Sequence, residues 1–239
     1  MSFNLKKSIP NSITCLNLIS GVLACILSFN YDTPIGALEG YQWAFICIGA
    51  AAVFDFCDGA SARLQHAYSP MGKELDSLAD LISFGLAPAL LMFNTINYYS
   101  EGFTPWALAS LIIVVCGALR LARFNIDTRQ TTSFIGLPIP SNALFWIGYI
   151  GWINSHSYPG AIASAIIMVA VSLLMVSPLK MFSLKFTSFS FRENVRRYAI
   201  LLAAVLFVAT EGVAGFAWTI LLYIFISLLG RKGQPDTEE

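Results

Sequence analysis

Charge is what this sequence has least of. Only 12% of its 239 residues are Asp, Glu, Lys or Arg, while 56% are hydrophobic. A soluble domain carries about 25% charged residues, so half that level excludes a water-soluble main body and makes lipid the chief solvent. No separate polar domain interrupts the apolar runs; the longest polar connections follow Phe124 and Lys180. Paired cysteines are lacking too. Cys15, Cys25, Cys47, Cys57 and Cys116 all sit inside apolar runs without a CxxC pair, which favours small buried hydrophobes over disulfides or thiolate metal ligands. The start, MSFNLKKSIPNSITC, is basic but leads into no small-residue cleavage pattern, so the first apolar run is expected to be a retained span and not a removed leader.

Runs long enough to cross a hydrocarbon layer of about 30 Å recur near Ser12–Phe29, Tyr41–Asp58, Leu75–Asn94, Pro105–Leu121, Asn142–Asn154, Gly160–Pro178, Tyr198–Thr210 and Ala214–Leu229. The pattern predicts an all-α, polytopic transmembrane bundle of about eight spans. Because the fifth and seventh runs are short, six full spans plus shallower helices is the alternative. With eight spans and a cytoplasmic N-terminus, all 14 Lys and Arg fall on the inner side. The outer connections hold Asp32, Glu39, Glu101, His156 and Glu211 and no basic residue. Basic residues bias a loop toward the cytoplasm, so both termini are expected there. The whole chain, 1–239, reads as one integral membrane domain. Residues 1–143 carry the chemistry, 144–239 add membrane helices, and 231–239 form a polar, disordered tail.

Against that apolar background stand four aspartates. Asp55 and Asp58 are three residues apart at the inner end of the second run; Asp76 and Asp80 are four apart at the start of the third. On helices each pair shares one face, and a short turn through Tyr68, Ser69 and Pro70 brings the faces together. If the second helix continues to Leu64, Asp55 lies about 14 Å before its end, too deep for all four groups to hang in bulk water. Carboxylates packed this closely repel unless protonated or neutralised by cations. Two divalent ions balance four charges, and oxygen ligands favour Mg²⁺, Mn²⁺ or Ca²⁺ over zinc. Such a two-ion site polarises phosphoryl oxygens for in-line displacement. A solvated pair of helix ends is the bland alternative, disfavoured because ionisable residues within a membrane are functional by default. Gly59 leaves room for a ligand to approach the backbone, Ala62 keeps the next turn small, Arg63 adds a fixed positive charge, and Gly72 permits close approach on the facing segment.

The pattern Asp55-x2-Asp58-Gly59-x2-Ala62-Arg63-x8-Gly72-x3-Asp76-x3-Asp80 resembles the complete signature of the CDP-alcohol phosphotransferases. The resemblance implies a membrane-embedded, metal-dependent enzyme that moves a phosphatidyl or phosphoalcohol group from a CDP-linked donor to a hydroxyl, releasing CMP. It implies that Asp55, Asp58 and Asp76 ligate metal, that Asp80 ligates a second metal and acts as base, and that Gly59, Ala62 and Arg63 contact the nucleotide. It also implies a homodimer in the cell (inner) membrane, with its active site facing the cytoplasm. IPNSITCLNLISG (Ile9–Gly21), ELDSLADLISFGLAPALL (Glu74–Leu91), CGALRLARFN (Cys116–Asn125), GLPIPSNA (Gly136–Ala143) and SPLKMFSLKF (Ser177–Phe186) are similar to the phosphatidylserine synthase branch. CDP-diacylglycerol and L-serine are then the expected substrates, with membrane lipids around them and no nucleic acid.

The acceptor site is less specific. Arg120 and Arg123, three apart with Asn125 beyond, suit a clamp on a carboxylate or a phosphate, so serine and glycerol 3-phosphate both fit, and positive-inside anchoring is the plain alternative. Asn11 and Thr14 are expected to cap the first helix or to reach a donor phosphate. Lys180 and Lys185 suit lipid headgroups or a donor phosphate. His66 is expected to be a solvated turn residue, His156 lies outside, and Phe191–Arg197 reads as an interfacial connector. A divalent-cation transporter is the rival from another class. The absence of evident repeats and an arginine beside the acids count against it.

Overall fold

A computed structural model of the chain describes residues 5–65, 69–126, 133–182 and 191–229. His66, Tyr68, Lys185 and the 231–239 tail lie outside the described residues. The fold is all-helical. Helix α1 (Leu5–Ser28) leads through a two-residue hairpin, β1 (Pro34–Ile35) and β2 (Leu38–Glu39), into α2 (Gly40–Leu64). Helix α3 (Pro70–Asp80) runs through a wide π-helical stretch, Leu81–Leu86, into α4 (Ala87–Tyr99) without a break. A 3-10 segment (Pro105–Ser110) opens α5 (Leu111–Ile126), and β3 (Ser133–Ile135) precedes α6 (Ile139–Ser155). After α7 (Ala161–Val176), β4 (Lys180–Phe182) pairs antiparallel with β3. Helices α8 (Phe191–Glu211) and α9 (Gly215–Leu229) close the chain.

Among the described residues, five helical runs are long and apolar enough to cross a membrane: Ile9–Ser28, Gly40–Leu64, Pro70–Tyr99, Pro105–Ile126 and Asn194–Leu229. The last is folded double. Gly212, at a φ of 59°, takes a left-handed turn, and α8 packs back against α9. Large apolar side chains such as Phe56, Val115, Ile166 and Val205 point outward from α2, α5, α7 and α8. A polypeptide turns such a surface toward hydrocarbon, where each helix satisfies its own backbone hydrogen bonds. The protein is an integral membrane protein.

Two expectations change here. The seventh run is not short, because α8 spans 21 residues and absorbs Phe191–Arg197 as its first turns in place of a separate connector. The cysteines form no disulfide, yet Cys15 and Cys57 are exposed; in a bilayer an apolar thiol can face outward as readily as inward. Helix α6 is short, at 17 residues, and is enclosed by protein, packing against α9, α4, α7 and the π-helical stretch. A Cβ on Gly148 would stand 2.2 Å from the Ala217 backbone nitrogen, so the missing side chain lets α6 and α9 touch backbone to backbone.

The two ends of the bundle differ chemically. At one, Asn154 joins Tyr31 and Tyr99 by hydrogen bonds, and His156 meets Glu211 at 3.7 Å. At the other, Lys73 Nζ donates to the Asn125 carbonyl at 2.8 Å and Arg123 donates to the Val176 carbonyl at 3.0 Å, beside the β3–β4 pair.

Candidate active site

The basic end holds the aspartates. Helix α2 continues to Leu64, and Ser69 starts α3 as its N-cap, its hydroxyl accepting the Gly72 N–H at 3.0 Å with Pro70 at the first helical position. Both devices fix the helix start locally. The turn therefore places the two acid pairs face to face, with α1 packed against both helices.

The four acids do not form one equal cluster. Ligand oxygens of Asp55, Asp76 and Asp80 lie within 4.8 Å of one another. Asp58 stands to the side, next to Asp76 and Thr14; it is buried, and its Oδ2 has no hydrogen-bond partner among the described residues. The triad offers only carboxylate oxygens, the donor set of a hard divalent cation. A buried acid oxygen with no donor beside it fits the same need for positive charge.

Next to the triad opens a cavity of about 620 Å³. Asp58, Gly59, Ala62 and Arg63 of α2, Gly72, Lys73 and Asp76 of α3, and Asn11 and Thr14 of α1 line it. A Cβ on Gly59 would meet only the Arg63 guanidinium, at 3.6 Å, so the space above this glycine is open to a ligand. The room at Gly72 is used differently: a Cβ there would stand 3.0 Å from Asn11 Oδ1, so this glycine admits the α1 side chain. The capping expectation for Asn11 and Thr14 is overturned. Helix α1 begins at Leu5, both residues are interior, and the Thr14 hydroxyl donates to the Pro10 carbonyl at 3.1 Å. They form a cavity wall.

The structure separates the three acceptor candidates. Arg120 is 7% exposed on the inner face of α5, within electrostatic range of Asp80 and Tyr223. Its guanidinium carbon sits 5.8 Å from the Phe124 ring centre. Arg123 is exposed and bonds the last carbonyl of α7. Asn125 donates from its amide to Ser77 Oγ at 2.9 Å while its carbonyl accepts Lys73. These two residues tie α5 to α7 and α3. Lys180 lies in β4, opposite Ile135.

One contact escaped the sequence reading. Asn17 of α1, completely buried, donates from Nδ2 to Asp80 Oδ1 at 3.3 Å. The signal was there: Asn11, Thr14 and Asn17 recur every three residues on one face of an otherwise apolar helix.

A family model described as CDP-alcohol phosphatidyltransferase matches residues 7–209. A Methanocaldococcus jannaschii protein named CDP-diacylglycerol–serine O-phosphatidyltransferase is 39% identical over 181 residues, covering 74% of this chain and 76% of its own. A Bacillus subtilis protein of the same name is 38% identical over 172 residues, covering 72% of this chain and 88% of its own. An archaetidylserine synthase from Methanothermobacter thermautotrophicus is 35% identical over 181 residues, covering 72% and 69%. With the signature acids and the cavity gathered at one end of a membrane bundle, and a family match across most of its length, the chain belongs to the CDP-alcohol phosphatidyltransferase family.

Proposed function

We propose that the protein transfers the phosphatidyl group of CDP-diacylglycerol to L-serine, giving phosphatidylserine and CMP. The carrying observation is the carboxylate triad beside a cavity lined by Arg63, with buried Arg120 within electrostatic range of Asp80. The names of the relatives agree on serine and differ only in the lipid they attach it to.

Mg²⁺ or Mn²⁺ held by Asp55, Asp76 and Asp80, with Asp58 as a further ligand on the cavity side, would neutralise the donor pyrophosphate and polarise its phosphoryl oxygens. The residues do the rest. Asp80 accepts the serine hydroxyl proton on a carboxylate oxygen. The serine oxygen then forms its bond to the diacylglycerol-linked phosphorus as the bond from that phosphorus to CMP breaks. Arg63 offsets negative charge that accumulates in the transition state, and preorganised charge of this kind is the main source of rate in such transfers. Asn11 and Thr14 hold the donor from α1, and Gly59 and Ala62 keep its path clear. Arg120 takes the serine carboxylate. Arg123 and Asn125 hold helices together and need no substrate contact.

We infer that the eight apolar helices each cross the membrane, which would put every Lys and Arg on the side of the acids, so that the site opens to the cytoplasm and both termini lie there. All groups given a chemical role precede residue 126, while α6 to α9 supply the enclosing scaffold. Purified protein in detergent with CDP-diacylglycerol and Mn²⁺ should release CMP only when serine and metal are both present. Metal flux through reconstituted vesicles without CMP release would favour a transporter instead.

A further inference from the structure

We propose that Asn17 is a positioning residue for the reaction: its amide holds the Asp80 carboxylate in the orientation that receives the acceptor proton. The inference rests on Asp80 serving as the base, and it adds a role for α1, which bears none of the acids.

Three contacts on α1 carry it. Asn17 Nδ2 donates to Asp80 Oδ1 at 3.3 Å. Ser83, in the π-helical stretch three residues beyond Asp80, donates from its hydroxyl to the Asn17 backbone carbonyl at 3.0 Å. One turn along α1, a Cβ on Gly21 would fall 2.3 Å from Ser83 Oγ and 2.7 Å from its Cα. Glycine there is what allows the two helices to meet so closely. Helix α1 thus holds this stretch at two points, by a side chain at the Asp80 carboxylate and by its own backbone at Ser83. Ser83 belongs to the wide π-helical stretch, and such turns occur frequently at functional sites.

A packing role alone does not explain the residue. The hydroxyl residues of the buried α1 stripe, Thr14, Ser20 and Ser28, each return their proton to a carbonyl of α1 itself. Asn17 instead donates its proton to another helix, and the group that receives it is an acid. Its Oδ1 has no partner among the described residues although the side chain is completely buried. Leucine would fill nearly the same volume with no polar group to desolvate. The length of the bond, just beyond the usual range, suits a catalytic contact that tightens when substrate binds.

The test uses the purified full chain with CDP-diacylglycerol, Mn²⁺ and radiolabelled serine, and calorimetric binding of CMP with Mn²⁺ as the second readout. Asn17→Leu should lower kcat by about tenfold to a hundredfold, the scale of a catalytic group displaced by about 1 Å. CMP affinity should stay within about twofold of the parent's. In an Asp80→Asn background, Asn17→Leu should cost nothing further, since two residues that act through one contact are non-additive. Ser83→Ala, which keeps the amide but frees its backbone, should lower kcat several-fold and decides the matter if Asn17→Leu does not fold. The proposal is overturned by parent-like kcat in either variant. It is equally overturned by an undiminished loss in the Asp80→Asn background, or by CMP affinity falling in step with kcat. A parent protein that releases no CMP with serine would instead defeat the transferase reading, before any variant is made.

Discussion

Arginine 120 offers the sharpest test of acceptor recognition, because the structure separates it from its neighbour. Arg120 is buried near Asp80, whereas Arg123 is exposed and spends a donor on the Val176 carbonyl at the end of α7. Arg120→Lys keeps the charge at a site 7% exposed but replaces a planar, two-donor fork by a single point of contact. A hydrogen bond to a charged group contributes about 1.5–3 kcal/mol, and each 1.4 kcal/mol is about tenfold in affinity. Losing one arm of the fork should therefore raise the serine KM roughly tenfold to a hundredfold. The KM for CDP-diacylglycerol should change little, since that substrate is held from α1, α2 and α3. Arg123→Lys should leave serine KM within about threefold, its effect appearing as lower thermal stability. Initial rates of labelled serine incorporation across a serine titration, with purified variants in detergent, measure both. Serine methyl ester, which lacks the negative charge, should be a poor acceptor for the parent and lose less on Arg120→Lys. Unchanged serine kinetics in Arg120→Lys, or a larger effect from Arg123→Lys, would refute the assignment of Arg120 to the carboxylate.

Other outcomes follow from the same geometry. Asp76→Asn removes one of three clustered ligand oxygens, so Mn²⁺ affinity and CMP binding should fall together; near-normal turnover at saturating Mn²⁺ would contradict this. Asp80→Asn should cut turnover by about 10²–10⁴, the typical contribution of a general base, while CMP affinity survives better than turnover; equal loss of both would make Asp80 mainly a metal ligand. Gly21→Ala places a methyl 2.7 Å from the Ser83 backbone, where overpacking costs about 1–3 kcal/mol, and should reduce both melting temperature and rate. Gly49→Ala, with nothing within 4 Å of the added carbon, should be neutral or slightly stabilising through helix propensity.

The legible part of the fold was the part that hydropathy and charge dictate. Each of the eight apolar runs became a helix, because a segment in lipid has few other ways to satisfy its backbone. The boundaries that failed did so for tertiary reasons. Helix α8 extends back over the charged Phe191–Arg197 segment because alternating charges at the start of a span are compatible with a helix as well as with a connector. Asn11 and Thr14 are types that favour caps, yet α1 starts before them and their face packs toward α3, which no local pattern reveals. At the site, spacing alone brought the acid pairs together, but it could not show that Asp55, Asp76 and Asp80 converge most closely while Asp58 sits beside Asp76 and Thr14. Nor could it rank Arg120 over Arg123. The ranking of the arginines depends on which side of α5 faces the bundle, set by contacts with α7 and the π-helical stretch. Asn17 was missed because its place in the polar stripe with Asn11 and Thr14 names no partner; only the contact with Asp80 gives it meaning.

The most direct measurement is an acceptor comparison. Purified protein would be given CDP-diacylglycerol with Mn²⁺ or Mg²⁺ and, separately, L-serine, glycerol 3-phosphate and inositol, with CMP release and the lipid product both quantified. Serine should support CMP release matched one for one by phosphatidylserine, with the other two alcohols near the background seen without metal. Faster transfer to glycerol 3-phosphate or inositol than to serine would contradict serine as the acceptor while leaving the family assignment in place.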